Sequence, residues 1–189
     1  MKQGGFSLLE ILISSFILAL GLLGLAGMQS TAIKSAVEVH QRSLANSLLQ
    51  DISERMQLNK VWLHSTNNNY SIDSLADANL VRPDCVNATG GFTNCTGLQI
   101  KNNDLFEWKN KFAGGDVTNA EGFNAGLIGA DACIEADNSG LSTIVISWYS
   151  TVKSVDAAQS EANDSIYFKC GDASNYRRQI SMKTYISKT

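Results

Sequence analysis

The sequence predicts an α+β protein in which one long N-terminal helix, half apolar and half amphipathic, packs on an antiparallel β-sheet. Three observations predict it. No ionisable side chain occurs between Ile11 and Ile33; Val37, Leu44, Leu48, Ile52 and Met56 then recur at steps of seven and four; and period-two alternation governs Thr143 to Trp148 and the segment from Ile180 to Ile186. The first two describe one helix, the third a sheet.

Length bounds the rest. At roughly 100 to 200 residues per domain, 189 residues hold one compact domain and one extra element. Lys and Arg total 15 against 18 Asp and Glu, a net charge of −3 that gives no positive field for a phosphate backbone. A dedicated nucleic-acid binder is therefore disfavoured. The run from Ile11 to Ile33 is long enough, at about 1.5 Å per residue, for the roughly 30 Å hydrocarbon core of a bilayer. It outlasts the apolar core of a cleavable secretory signal and continues as helix past Ala32, so it is expected to stay as an anchor. Lys2 before it and Lys34 after it give only a weak orientation bias.

Past Lys34 the chain turns polar without a helix breaker, and the apolar stripe carries the helix to about Lys60. Turn-formers from Thr66 to Asn69 end it. A short helix is expected near Ser71 to Leu80, then a cysteine-bearing loop. Another is expected near Asp104 to Phe112, where Leu105, Trp108 and Phe112 share a face, Glu107 and Lys111 form an i,i+4 pair, and Gly114-Gly115 is the stop. Strands follow at Thr143 to Trp148 and Ile180 to Ile186, a weaker one over Ile166, Phe168 and Cys170, and one flanking Cys133. The segment Ala136 to Gly140 reads as a hairpin turn, too short for a calcium loop and without its terminal Glu. Arg177 and Arg178 split between the two faces of a strand.

Glu10 is the exception in the apolar segment. A lone carboxylate there costs about 2.5 to 3.5 kcal/mol on insertion scales, so something should compensate it. A short basic leader ends in Gly4-Gly5, then come Phe6, Glu10 and the run GFSLLEILISSFILALGLLGLAGMQ. This order and spacing resemble the class III signal of type IV pilins and pseudopilins. The resemblance implies that a prepilin peptidase cuts after Gly5 and methylates Phe6 on the cytoplasmic side, leaving the head in the periplasm. Residues 1–5 are then the leader, 6–33 the transmembrane and assembly half of the helix, and 34–189 the head with the amphipathic half. Cutting frees an α-amino cation four residues from Glu10, a partner for a buried carboxylate, so Phe6 and Glu10 are the expected assembly residues. Gly21, Gly24 and Gly27 fall along one side of the helix, where small residues allow close packing.

GLLGLAGMQ, EWKNKFAGGDV, ACIE, the Trp148 strand, Cys170-Gly171 and Tyr176 to Ile180 resemble, in that order, the PilV group of minor pilins. A periplasmic head makes disulfides the default for its four cysteines. Sequence proximity favours Cys85 with Cys95 and Cys133 with Cys170, the latter joining two strands, while free thiols and two crossed connectivities remain as alternatives.

Nothing in the sequence points to catalysis or to a cofactor. His40 and His64 stand apart from any ligand cluster and read as surface residues, and no GxSxG, HExxH, Walker or GxGxxG pattern occurs. Asn87, Asn94 and Asn163 head glycosylation sequons that an Asn-rich chain yields by chance. Trp62, Trp108 and Trp148 are core candidates, Trp62 equally a subunit contact. The resemblance implies a structural subunit that primes type IV pilus assembly at the filament tip. Its partners would be other minor pilins, the major pilin, the peptidase, the inner-membrane assembly platform and a tip adhesin. It also implies an inner-membrane protein that becomes extracellular in a Gram-negative bacterium. The alternatives are an adhesive subunit and a type II secretion pseudopilin, the latter disfavoured by paired head cysteines.

Overall fold

The computed structural model describes residues 7–65, 69–87, 89, 91, 93–115, 126–137 and 139–187. The chain divides into two compact units, Met1–His40 and Gln41–Thr189, with helix α1 (Leu8–Leu58) contributing to both. In the first unit every described residue up to Ala36 is exposed. The most apolar 18-residue window of α1 has a mean hydropathy of 2.4, that of a segment able to cross a bilayer. Three of its hydroxyls bond back to their own helix: Ser14 Oγ donates to Glu10 O at 2.7 Å, Ser15 to Leu12 O and Thr31 to Gly27 O. Such bonds satisfy these three donors within the helix itself.

In the second unit α1 turns one stripe inward, burying Gln41, Ala45, Leu48, Leu49, Ile52 and Met56. The stripe read from sequence is thus half right. Leu48, Ile52 and Met56 lie at its centre, while Leu44 packs partly buried at its margin and Val37 lies in the other unit. Asn59 interrupts the helix, and one further turn, α2 (Lys60–Leu63), buries Leu63. The stripe meets α3 (Gly97–Phe112) and a sheet of β1 (Asp131–Ala136), β2 (Leu141–Tyr149) and β3 (Arg177–Tyr185), all antiparallel in the order β1-β2-β3. Alternation on β2 sends Ile144, Ile146 and Trp148 toward the helices, with Ala132 and Ile134 from β1 and Leu105, Trp108 and Phe112 from α3 in the same core. Trp108 also donates its indole N–H to Leu48 O at 3.0 Å, so the buried ring is satisfied by the facing helix.

α3 begins seven residues before Asp104 because Thr96 and Gln99 form a capping box: each side chain accepts from the other's backbone N–H. It stops at Gly114, whose φ of 74° other residues rarely adopt. Asp137, Ser139 and Gly140 belong to the β1–β2 hairpin turn, where the Asp137 carboxylate accepts from the backbone of Ser139 and Leu141. Gly140 at φ 97° closes it.

Four expectations are corrected. The segment from Ser71 to Leu80 is not a helix: Ile72 forms an antiparallel bridge with Ile134, and Leu75 N donates to Ala132 O, so this stretch lines the outer edge of β1. The alternation of Ile166, Phe168 and Cys170 is not a strand but the turn α4 (Ile166–Lys169), because the Ser165 hydroxyl accepts from Phe168 N as an N-cap. Glu107 and Lys111 do not pair with each other: Glu107 takes Arg55 at 2.8 Å and Lys111 takes Asp51 at 2.8 Å, tertiary partners winning over the i,i+4 option. His64 is half-buried, its Nε2 2.7 Å from Ile186 O, while His40 is exposed. The turn expectation at Thr66 to Asn69 falls, except for Asn69, outside the described residues.

Candidate assembly helix and its cross-linked head

Gly5 and Phe6 lie outside the described residues. Glu10 occupies the first turn of α1 with its side chain exposed, where the partial positive charge of the helix N-terminus favours a carboxylate, and no described residue forms an ion pair with it. Gly21, Gly24 and Gly27 leave open space where a Cβ would stand. The surface of this segment is therefore apolar, locally smooth, and marked by one acid.

The head carries two disulfides, Cys85–Cys95 with Cα atoms 5.3 Å apart and Cys133–Cys170 at 5.8 Å, and no described cysteine is free. The second does not join two strands: it ties β1 to the C-cap of α4, on the sheet face opposite the main core, where Val145, Ile166 and Tyr167 pack around it. Residues 150–176 are thus held to the sheet at one covalent point.

A second, polar clasp holds the same segment. Arg177, 1% exposed at the start of β3, donates Nε–H to Asp156 Oδ1 at 2.7 Å and Nη1 to the carbonyls of Phe168, Cys170 and Gly171. Asp156 meanwhile accepts from Ala158 N at 2.9 Å and Ser174 N at 2.6 Å. Partial burial alone would raise the Asp156 pKa, but these backbone donors and the guanidinium hold it below the usual carboxylate range. Strand alternation at Arg177-Arg178 is the sequence signal for one inward arginine; Asp156, 21 residues away in a loop, carries none.

A third polar cluster stitches α1 to α3. Arg55 bridges Asp51, Asp104 and Glu107, Tyr70 donates to Asp104 Oδ2 at 2.7 Å, and Asn59 donates to Tyr70 Oη at 2.8 Å. Burial raises the Asp104 pKa despite the Tyr70 hydrogen bond and the Arg55 charge, and burial together with the Asp104 charge pushes the Tyr70 phenol far above its ordinary value. Glu107 goes the other way: burial opposes its charge, but Arg55 and Asn103 bonds outweigh it. Trp62 is half-buried against Tyr70, ring centroids 6.0 Å apart, at the end of this cluster. Among the described residues no three His, Cys, Asp or Glu side chains are grouped to hold a metal ion.

An exposed apolar helix able to cross a bilayer, joined to an α+β head that is doubly disulfide-bonded, defines a helix-anchored protein of an oxidising compartment. Residues 1–26 match the family model of the prokaryotic N-terminal methylation motif, and residues 27–106 match that of the Tt1218-like type IV pilins, described as type IV pilin Tt1218. Over residues 1–106 the chain is thus similar to type IV pilins. The first match ends within α1 and the second within α3, so the three strands lie beyond both. No curated protein and no solved structure matches the chain. Type IV pilins are structural subunits, and the methylation motif implies processing by a prepilin peptidase followed by assembly with other pilins.

Proposed function

We propose that this chain is a minor pilin of the PilV type, a structural, non-catalytic subunit that primes type IV pilus assembly at the tip of the filament in a Gram-negative bacterium. The supporting observation is the C-terminal strand. Major pilins usually place the second cysteine of their last loop near the end of the chain, whereas here the nine-residue strand β3 follows Cys170 and carries Arg177 into the clasp. The last strand is integral to the head. Residues 1–5 are the leader removed by the peptidase, 6–33 the segment buried in lipid and then in the filament, and 34–189 the periplasmic part. Its assembly partners are other minor pilins, the major pilin and the inner-membrane platform, with a tip adhesin as further cargo.

Cleavage after Gly5 sets the amine of Phe6 close to Glu10 in sequence. Within one helix that amine points along the axis and cannot easily meet the Glu10 side chain, so the carboxylate pairs with a neighbour's amine when helices pack. Replacing Glu10 by Gln keeps the size and removes the charge. Processing, read by N-terminal sequencing that starts at Phe6, should persist, while recovery in sheared filaments and crosslinking to other minor pilins should fall. Wild-type recovery would make Glu10 a mere interfacial residue. Deleting the gene separates the two functional readings: lost surface filaments support priming, and intact filaments with lost adhesion support a binding subunit.

A further inference from the structure

The two edges of the three-stranded sheet are finished differently. In an antiparallel pair the N–H and C=O of one residue point to the same side, so alternate residues of an edge strand face outward. On β1 the outward residues include Ala132 and Ile134, and the chain covers them itself: Ile72 and Ile134 exchange both hydrogen bonds, and Leu75 N donates to Ala132 O. On β3 the phase is set at both ends, by Ile186 N donating to Gly140 O and by Tyr176 O accepting from Ser150 N. Even-numbered residues therefore face β2, and odd-numbered ones face away. At either end of that outward row the molecule again supplies partners. Arg177 N donates to Ser174 O, Arg177 O accepts from Arg178 Nη1, and Tyr185 O accepts from Gln57 Nε2. Gln179, Ser181 and Lys183 lie between them, and among the described residues nothing bonds their backbone N–H or C=O. One donor and one acceptor on each of these residues stay open along about 14 Å of strand.

We infer that the edge from Gln179 to Lys183 is a docking site for an extended, acidic segment of another protein, which adds a further strand beside β3. A row of donors and acceptors at strand spacing is matched by a chain in β conformation. The flanking side chains state what that chain carries. Ile180 and Met182 lie on the helix-facing side, opposite Ile146 and Ile144, and are only partly buried against the core, so an apolar residue beside them completes the cover. On the other side Ser181 and Lys183 are exposed, and Lys183 forms no ion pair among the described residues. No acid occurs from Arg177 to Ser187, so Lys183 has no counter-charge on its own strand and suits a carboxylate placed across from it. The same composition argues against a second copy. Pairing β3 with β3 joins two strands that carry Arg178 and Lys183 and no acid, so neither lysine gains a partner. A lysine on an open edge discourages indiscriminate pairing, and here it also selects: a cationic strand is rejected and an acidic one is admitted.

The test uses the isotope-labelled full chain in detergent micelles and a capped peptide of alternating valine and threonine with one central glutamate. Amide exchange is read by NMR. The amides of Gln179, Ser181 and Lys183 should exchange freely in the chain alone and slow at least about tenfold with peptide, while those of Ile180 and Met182, already directed at β2, should change little. Ser181→Pro removes an outward N–H that no group in the head uses, so it should abolish the protection at Gln179 and Lys183 and leave the Tm in place. Lys183→Glu should weaken binding by roughly three- to tenfold and make a peptide with lysine in place of glutamate the better ligand. Where Ser181→Pro loses its folded near-UV signal, this charge swap decides. Equal binding of a peptide methylated on its edge-facing amide nitrogens overturns the proposal, since apolar partition and not a ladder then holds it. Slow exchange of the three amides before peptide is added overturns it too, because the edge is then already covered, by a second copy if protection rises with protein concentration. No change at millimolar peptide also refutes it.

Discussion

Replacing Asp156 by Ala should unfold the loop side of the head first. The substitution removes the carboxylate that neutralises a 1% exposed guanidinium and also leaves two backbone donors, Ala158 N and Ser174 N, without their acceptor. Breaking a buried pair by deleting one partner costs about 3 to 5 kcal/mol. Two features pull the value to the low end: the Asp156 side chain keeps 12% exposure, and Arg177 Nη1 retains three carbonyl acceptors. A loss of about 3 kcal/mol follows, which for a unit of this size lowers the Tm by roughly 6 to 12 °C. The assay is thermal unfolding of the full chain in detergent micelles, with both disulfides intact and the near-UV signal of Trp108 and Trp148 as readout. Pairing the change with Arg177→Met should cost at least about 1 kcal/mol less than the sum of the two single changes, as for residues in direct contact. A shift for Asp156→Ala within about 0.5 kcal/mol of wild type, the range of ordinary surface changes, would refute the clasp.

The other expectations concern pH, cross-links and core. Asp156 and Glu107 have lowered native pKa values, so their stabilisation is complete above the unfolded carboxylate value of about 4 and is lost as pH falls through the native values. Asp156→Asn should therefore flatten the acid limb of a stability–pH curve, and Asp104→Asn should steepen it, because Asp104 has a raised pKa and its native state gains the proton more readily. Loop-closure entropy for separations of 37 and 10 residues puts the loss of Cys133–Cys170 at about 3.8 kcal/mol and of Cys85–Cys95 at about 2.7 kcal/mol, an order that urea titration of paired Cys→Ala variants checks. Leu48→Ala, at a position 3% exposed beneath Trp108, should cost about 2 to 5 kcal/mol; an unchanged Tm would remove that face from the core.

What sequence made legible follows a physical line. Periodicity reports which face of a long element avoids water, so the anchor, the Leu48 to Met56 stripe, the α3 face and the β2 alternation were readable. Local polar chemistry was present but under-read: Thr96 and Gln99 stand at capping-box spacing, and Ser165 ahead of Ile166 is an N-cap that outweighs a three-residue alternation. Partnerships across the chain left no trace. Arg55 with Glu107 and Asp51 with Lys111 are separated by 52 and 60 residues, and each displaces a local pairing that spacing alone recommends. The same is true of Arg177, whose burial depends on a loop that supplies one carboxylate and three carbonyls.

The two halves of the chain solve different problems of transfer. A pilin helix that leaves lipid for the packed core of a filament exchanges one apolar environment for another, so its exposed Leu, Ile and Phe surface changes solvation little and gives assembly little direction. Glu10 is the one ionisable residue between Ser7 and Ile33, and under the proposed pairing with a neighbour's amine its surroundings are the ones that differ between the two places. Direction can therefore come from a single charge. In the proposed role the head passes to the outside of a cell, where a three-stranded sheet packed with α1 and α3 must survive without help. Two disulfides and the Arg177 clasp act on the long segment and the cysteine loop that the sheet alone would leave loose.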